Sequence, residues 1–262
     1  MTVVTSEQSL ALIKNANLPE IAPEIREVRG VDDAPPLELA SVEAQALVVG
    51  SGLFVAAEKV PQQIREDIVN CTLFAQLAAS GEVGDDPAKI TQWYDVYFRT
   101  LTALGWAQSD RRFEEYKFSS VNAEAHKAIM KVIAALMGPQ AAALAIVSTA
   151  LEALQSMNEN SPWITLFDRK SKVGKSARFQ VAVAQVDPGG LLQVALCAFN
   201  LKAKSKLTQV LFFKYASSST SMKYAAGKAT IYEAALKDQR EAIAQRLADY
   251  RKAYVGQVKF PP

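Results

Sequence analysis

The sequence predicts an α+β protein, with a mostly helical N-terminal two-thirds packed on a small antiparallel β-meander and closed by a C-terminal amphipathic helix. Three observations carry this expectation. Apolar residues recur at helical spacing up to about residue 157. From Arg178 the apolar period drops to two, and the runs RFQVAVAQV, LLQVALCAFNL and LTQVLFFKY follow one another with turn chemistry between them. Helical spacing then returns with Tyr232, Leu236, Ile243, Leu247, Tyr250 and Tyr254.

Taken in order, residues 1–36 read as an extended arm or linker, because LPEIAPEIREVRGVDDAPP is rich in proline and acidic residues. Residues 37–262 read as a single α+β domain, with a helical layer over 37–157, an antiparallel sheet over 178–215 and a helix over 228–253. A short helix is expected from Pro36, carrying Leu37, Val42, Ala46 and Val49, and Gly50-Ser51-Gly52 ends it as a turn. That triplet is too short for a dinucleotide-binding loop, which needs G-x-G-x-x-G after a strand. Pro61 suits the first position of the next helix and Gly81 its end. Ile64, Ile68, Cys71 and Ala75 share one face of it, which makes Cys71 a small core residue. The acidic loop GEVGDDPAK lacks the alternating carboxylate spacing of a calcium loop. Trp93, Tyr97, Leu101 and Leu104 then line the core face of a helix that Gly105 terminates.

Residues 128–154 are the most apolar part of the chain. Gly138-Pro139 divides them into two helices. Neither half approaches the roughly 20 apolar residues of a membrane span, so a buried helical hairpin is expected.

In the meander, Asp187-Pro188-Gly189-Gly190 supplies the preset φ and the φ > 0 positions of a tight turn. The second strand places Leu192, Val194 and Leu196 on one face and Leu191, Ala195, Cys197 and Phe199 on the other. Both faces are apolar, so both require cover. The polar stretch ASSSTSMKYAAGK after the third run reads as a mobile loop.

Charge and composition limit the function classes. Half of the 262 residues are hydrophobic, 21% are charged, and the net charge is +2. The balance is uneven: residues 1–160 hold 12 basic and 21 acidic side chains, and residues 161–262 hold 17 and 6. The basic part complements the acidic part or faces an anionic membrane surface, with Lys202, Lys204 and Lys206 as leading contacts. A nucleic acid is not expected as partner. The only histidine, His126, has no motif partner, which leaves Ser-His-Asp, Cys-His and histidine-metal chemistry without their parts. DRKSKVGKS ends like a phosphate loop but has Arg169 where the first glycine belongs and no preceding strand, so no nucleotide is expected. Two cysteines form no disulfide framework, and MTVVTSEQSLALIKN lacks the basic start of a signal peptide. The expectation is synthesis in the cytoplasm, with membrane association or release by a signal-independent route.

The layout of an acidic helical part, a small sheet with one cysteine on a central apolar strand and a terminal helix resembles the Evf virulence-factor family of bacterial proteins. That resemblance implies a thioester-linked palmitoyl or similar fatty acyl chain on a buried cysteine and association with membranes. It places the attachment on Cys197, lined by Ala195, Phe199 and Leu191, with Cys71 as the alternative site. It also assigns REDIVNCTLFAQLA and WYDVYF…LGW to the lipid-enclosing helical layer. Two other classes stand beside it. One is a cysteine-dependent acyltransferase or thioesterase-like enzyme, for which no catalytic constellation is recognisable. The other is a membrane-permeabilising toxin that uses the 128–154 hairpin.

Overall fold

The computed structural model describes residues 5–29, 39, 43–109, 112–117, 125–139, 141–156, 170–173, 176–203 and 220–258. Its first elements replace the extended arm with two helices, α1 (Ser6–Asn15) and α2 (Pro23–Arg29). Their local cause is a capping box at Thr5, whose side chain accepts from Gln8 N at 3.3 Å while Gln8 Oε1 accepts from Thr5 N at 3.0 Å.

Next come two strands within the stretch assigned to the helical layer, the first of them in place of the end of the expected short helix. β1 (Gln45–Val49) and β2 (Gly52–Ala56) pair antiparallel around Gly50-Ser51. The turn was anticipated, but the flanking residues form a hairpin. Gly50 sits at φ 57°, and a Cβ there would lie 2.5 Å from Gln76 Oε1.

α3 (Gln62–Val83) begins after Pro61 as expected but runs past Gly81. Gly81 is required for another reason: a Cβ there would lie 1.7 Å from the carbonyl oxygen of Asn17. The chain between α1 and α2 therefore crosses α3 in contact with its backbone. A 3₁₀ turn (Pro87–Lys89) leads into α4 (Ile90–Ala103), whose Trp93, Tyr97 and Leu101 are buried. Short strands β3 (Trp106–Gln108) and β4 (Glu114–Glu115) follow. The predicted hairpin is present as α5 (Ala125–Met137) and α6 (Ala142–Ser156).

The remaining strands are β5 (Lys172–Val173), β6 (Ser176–Val186), β7 (Leu192–Ala203) and β8 (Thr220–Ile231). β6 and β7 form the expected hairpin, closed by Asp187 N donating to Leu191 O and Leu191 N donating to the Asp187 carboxylate, both at 2.9 Å. The expected third strand lies mostly within 204–219, outside the described residues. β8 instead comes from the stretch read as a loop, and it pairs with β7 along Val194–Ala203. The expected 228–253 helix starts later, as α7 (Glu233–Lys237) and α8 (Arg240–Tyr254), before β9 (Val255–Gln257).

The described strands make one nine-stranded sheet in the order β3-β8-β7-β6-β2-β1-β9, with β4 on β8 and β5 on β6. It is larger than the expected meander, and it is mixed, because β2 runs parallel to β6. Parallel pairing needs a long crossover, and here the chain from α3 to α6 provides it. The α+β class holds, with helices on both faces of the sheet. α3 and α4 cover one face; α5 and α6 cover the other, α5 on β7 and β8 and α6 on β1, β2 and β6. α1 and α2 pack on α8, held by Arg246 donating to Ala16 O at 2.7 Å and Tyr250 to Pro19 O at 3.1 Å. The charge asymmetry is partly answered within the fold, since Asp67 pairs with Arg240 at 2.7 Å and Asp85 with Arg178.

Candidate functional site

Strand alternation separates the sheet's two faces by chemistry. On β6, Gln180 and Arg178 reach α3 and α4: Gln180 Nε2 donates to the Tyr94 hydroxyl at 3.2 Å, and Arg178 Nη2 to Ser80 Oγ at 3.3 Å. Their neighbours Phe179, Val181, Val183 and Gln185 point the other way, and Gln185 Oε1 accepts from Ala143 N of α6 at 3.4 Å. The register carries this face across to Ala195, Cys197 and Phe199 on β7 and to Leu53 and Val55 on β2.

The α3–α4 face is fastened by polar groups. Gln76 Nε2 donates to Val49 O at 3.0 Å while its Oε1 accepts from Ser51 N at 2.9 Å. The Tyr94 hydroxyl is directed at the sheet carbonyls of Phe199 (2.7 Å) and Phe179 (3.0 Å). Arg65, fully buried, donates to Val60 O at 2.9 Å and Ala57 O at 3.0 Å.

The hairpin face is apolar apart from Gln185. α5 buries Ala128, Ile129, Val132, Ile133 and Met137, and α6 buries Ala143, Leu144, Val147, Ala150, Leu151 and Leu154. None of the buried polar side chains among the described residues comes from 125–156. The hairpin carries no charged residue from Val132 to Leu151, and Lys127, Lys131 and Glu152 lie exposed at its open end.

Cys197 lies on this apolar face, as alternation predicted, and it is fully buried. Ala195 and Phe199 flank it, with the Phe199 ring stacked on Phe179 at 4.9 Å. Leu191 does not join them: it is 69% exposed in the turn before β7. The strand begins one residue later, so the alternation that paired Leu191 with Ala195 stops short of it. Burial alone pushes the Cys197 thiol up to about 12, so it is protonated at neutral pH in this conformation. Cys71 sits under the opposite face on α3 and is also pushed up to about 12, chiefly by burial. Neither thiol offers a ready thiolate. Lys202 lies exposed near the end of β7, and its even register assigns it to the α3–α4 side. Lys204 and Lys206 lie outside the described residues. Among the described residues the lysines beside the hairpin are Lys127 and Lys131, which the larger basic excess of the C-terminal part overshadows in the sequence. Among the described residues no group of three or more His, Cys, Asp or Glu side chains is placed to hold a metal ion.

The chain matches no protein-family model and no curated protein sequence. Among solved structures it is similar to a delta-endotoxin, at 12% identity and a TM-score of 0.39 over 76% of this chain and 88% of that one. It is also similar to the Evf virulence factor, at 11% identity and a TM-score of 0.31 over 90% of each chain. Both are distant resemblances.

Proposed function

We propose that this is a membrane-active protein of the toxin or virulence-factor kind, whose α5–α6 hairpin leaves the sheet to lie in a lipid surface. The observation that carries the reading is a hairpin uncharged from Val132 to Leu151 that lays apolar side chains on a sheet face which, Gln185 apart, is apolar beneath it. In water both surfaces need each other. In lipid the hairpin's apolar side chains keep a favourable environment without the sheet. Length decides the mode of contact. α5 has 13 residues and α6 has 15, about 20–22 Å each at 1.5 Å per residue, short of the roughly 30 Å hydrocarbon core. No helix among the described residues is long and apolar enough to cross a membrane. An interfacial position fits, with Lys127 and Lys131 towards anionic headgroups.

Two native cysteines test the reading. Cys197 lies beneath the hairpin and Cys71 beneath the opposite, polar-fastened layer. With vesicles containing anionic lipid, the rate of maleimide labelling at Cys197 rises at least tenfold over buffer, while Cys71 stays protected. Vesicle-bound protein with Cys197 still protected overturns the hairpin movement, and equal labelling of both thiols indicates general unfolding instead.

A second reading is favoured by the position of Cys197: a fatty acyl chain in thioester linkage there would share the apolar face with Ala195 and Phe199. Each of its methylenes removed from water would contribute about 0.8 kcal/mol. Intact mass of protein from its native source, before and after hydroxylamine, checks this; a native mass equal to that of the bare chain removes it.

A further inference from the structure

On the polar-fastened face, away from the hairpin, a cleft of about 360 Å³ opens between the α1–α2 connection, α3, the β1–β2 turn and the start of β5. Its floor gathers donors that lack acceptors. Arg178 is 3% exposed and lies 4.3 Å over the Trp93 ring. Its Nη2 serves Ser80 and Asp85, but Nε and Nη1 have no acceptor among the described residues. Ser80 Oγ accepts from both Arg178 Nη2 and Trp93 Nε1 (3.0 Å), which fills its lone pairs and leaves its proton to donate. Lys170 rests 4.1 Å over the Tyr254 ring and donates to the Tyr254 hydroxyl at 3.0 Å. Burial lowers the Lys170 pKa first of all; Arg178 lowers it further, against an opposite effect of Asp85.

The buried Arg178 pairs with Asp85, whose side chain is 74% exposed, and the half-buried Lys170 lies close enough to feel both charges. A buried cation with unmet N–H groups is costly, and an oxyanion with several acceptor oxygens is what relieves it. The mouth of the same cleft carries the opposite charge: Glu20 and Glu24 line it and are exposed. A plain anion would meet two carboxylates on entry. A molecule with a cationic end turned outwards would satisfy both levels.

We infer that this cleft binds a small phosphorylated zwitterion, with its phosphate held by Arg178, Lys170 and Ser80 and its ammonium group facing Glu20 and Glu24. Three separate donor side chains suit a phosphate better than a two-oxygen carboxylate. The volume leaves room for a short substituent. The inference is independent of hairpin movement, because the cleft lies on the other face of the sheet.

Calorimetric titration of the full chain tests it, with O-phosphoethanolamine, inorganic phosphate and 4-aminobutyrate as probes. O-phosphoethanolamine is expected to bind at least tenfold more tightly than either of the others. Lys170→Gln, at a half-buried position that leaves Arg178 in place, weakens it at least tenfold at unchanged Tm. The Glu20→Gln/Glu24→Gln double variant brings phosphoethanolamine down to the level of inorganic phosphate. Vesicles containing phosphatidylethanolamine identify the source: binding reduced by Lys170→Gln marks a lipid headgroup, and binding of the soluble probe alone marks a free phosphorylated amine. No phosphoethanolamine binding at millimolar concentration, or equal affinity for 4-aminobutyrate, overturns the proposal, as does binding that Lys170→Gln leaves intact.

Discussion

The two faces of the sheet are covered by helical layers that are fastened to it in different ways. α3 and α4 reach the sheet through Gln76, Tyr94, Gln180 and Arg178, each bonded to a specific partner. α5 and α6 rest on it through aliphatic side chains, with Ala143 N donating to Gln185 Oε1 at 3.4 Å. Apolar contact is non-directional and transfers readily to another apolar surface, whereas a buried hydrogen bond left unmade costs about 1–3 kcal/mol. The first layer is thus committed to the sheet, and the second is held only as long as water is the alternative. Breaking each layer by its own weakness should separate them.

The largest effect is expected from a charge placed under the hairpin. Val147 of α6 is fully buried among apolar groups. Val147→Asp forces an unpaired carboxylate into that layer, at roughly 3–5 kcal/mol. The hairpin can escape by leaving the sheet, so Cys197 should label in buffer without lipid while Cys71 stays protected. Simultaneous exposure of both thiols would show that the two layers unfold as one.

How far the sequence showed this division can be argued residue by residue. The α5–α6 hairpin was legible because Gly138-Pro139 interrupts a long apolar run, and β6–β7 because Asp187-Pro188-Gly189-Gly190 sits between alternating runs. The burial of Cys197 followed from the same alternation. β8 was hidden: Met222-Lys223-Tyr224-Ala225-Ala226-Gly227 is poor in β-branched residues, and pairing with β7 on one side and with β3 and β4 on the other overrides its propensity. β1 and β2 were hidden because a five-residue apolar run fits either period. The parallel β2–β6 pairing joins residues over 120 apart in sequence, such as Leu53 and Val181, and local pattern carries no sign of it. The cleft around Arg178 was invisible for the same reason, since Ser80, Lys170 and Arg178 meet only through the fold.

On the fastened face, Arg240→Ala leaves the Asp67 carboxylate, 2% exposed, without its cation. A loss of about 3 kcal/mol is expected, at the low end for a buried pair because Arg240 is itself 27% exposed. Gln76→Leu strands Val49 O and Ser51 N and should cost about 2 kcal/mol. Urea denaturation checks both. Hairpin release in vesicles should proceed as in the wild type, and a variant that gains stability would contradict the fastening role.

The thiols give an alkaline comparison. Cys197 is raised from an ordinary 9.0 to about 12, so its folded form keeps a proton that the unfolded chain has released. The stability it contributes is intact below about pH 9 and is lost as pH rises from there towards 12. Cys197→Ala should therefore flatten the decline in stability between pH 9 and 11, by roughly 1 kcal/mol per pH unit. Cys71→Ala should flatten it similarly, since that thiol is raised to the same level. A Cys197 effect absent while that of Cys71 persists would mean that the hairpin opens in alkali before the fastened layer yields.

The smallest effect decides which face meets the membrane. Lys131 is exposed on α5 beside the hairpin's open end, and Lys202 is exposed near the end of β7 on the other side. A lysine near an anionic surface contributes about 1 kcal/mol, roughly a fivefold change in partitioning, and salt screens it. Lys131→Gln should weaken binding to anionic vesicles about fivefold at low salt, and Lys202→Gln should change it by less than twofold. Neither substitution touches a buried group, so urea midpoints should stay where they are, and any difference reads on the membrane alone. The reverse order would dock the protein through its fastened face. The hairpin would then point away from the lipid, and the apolar layer would be no more than one half of the core.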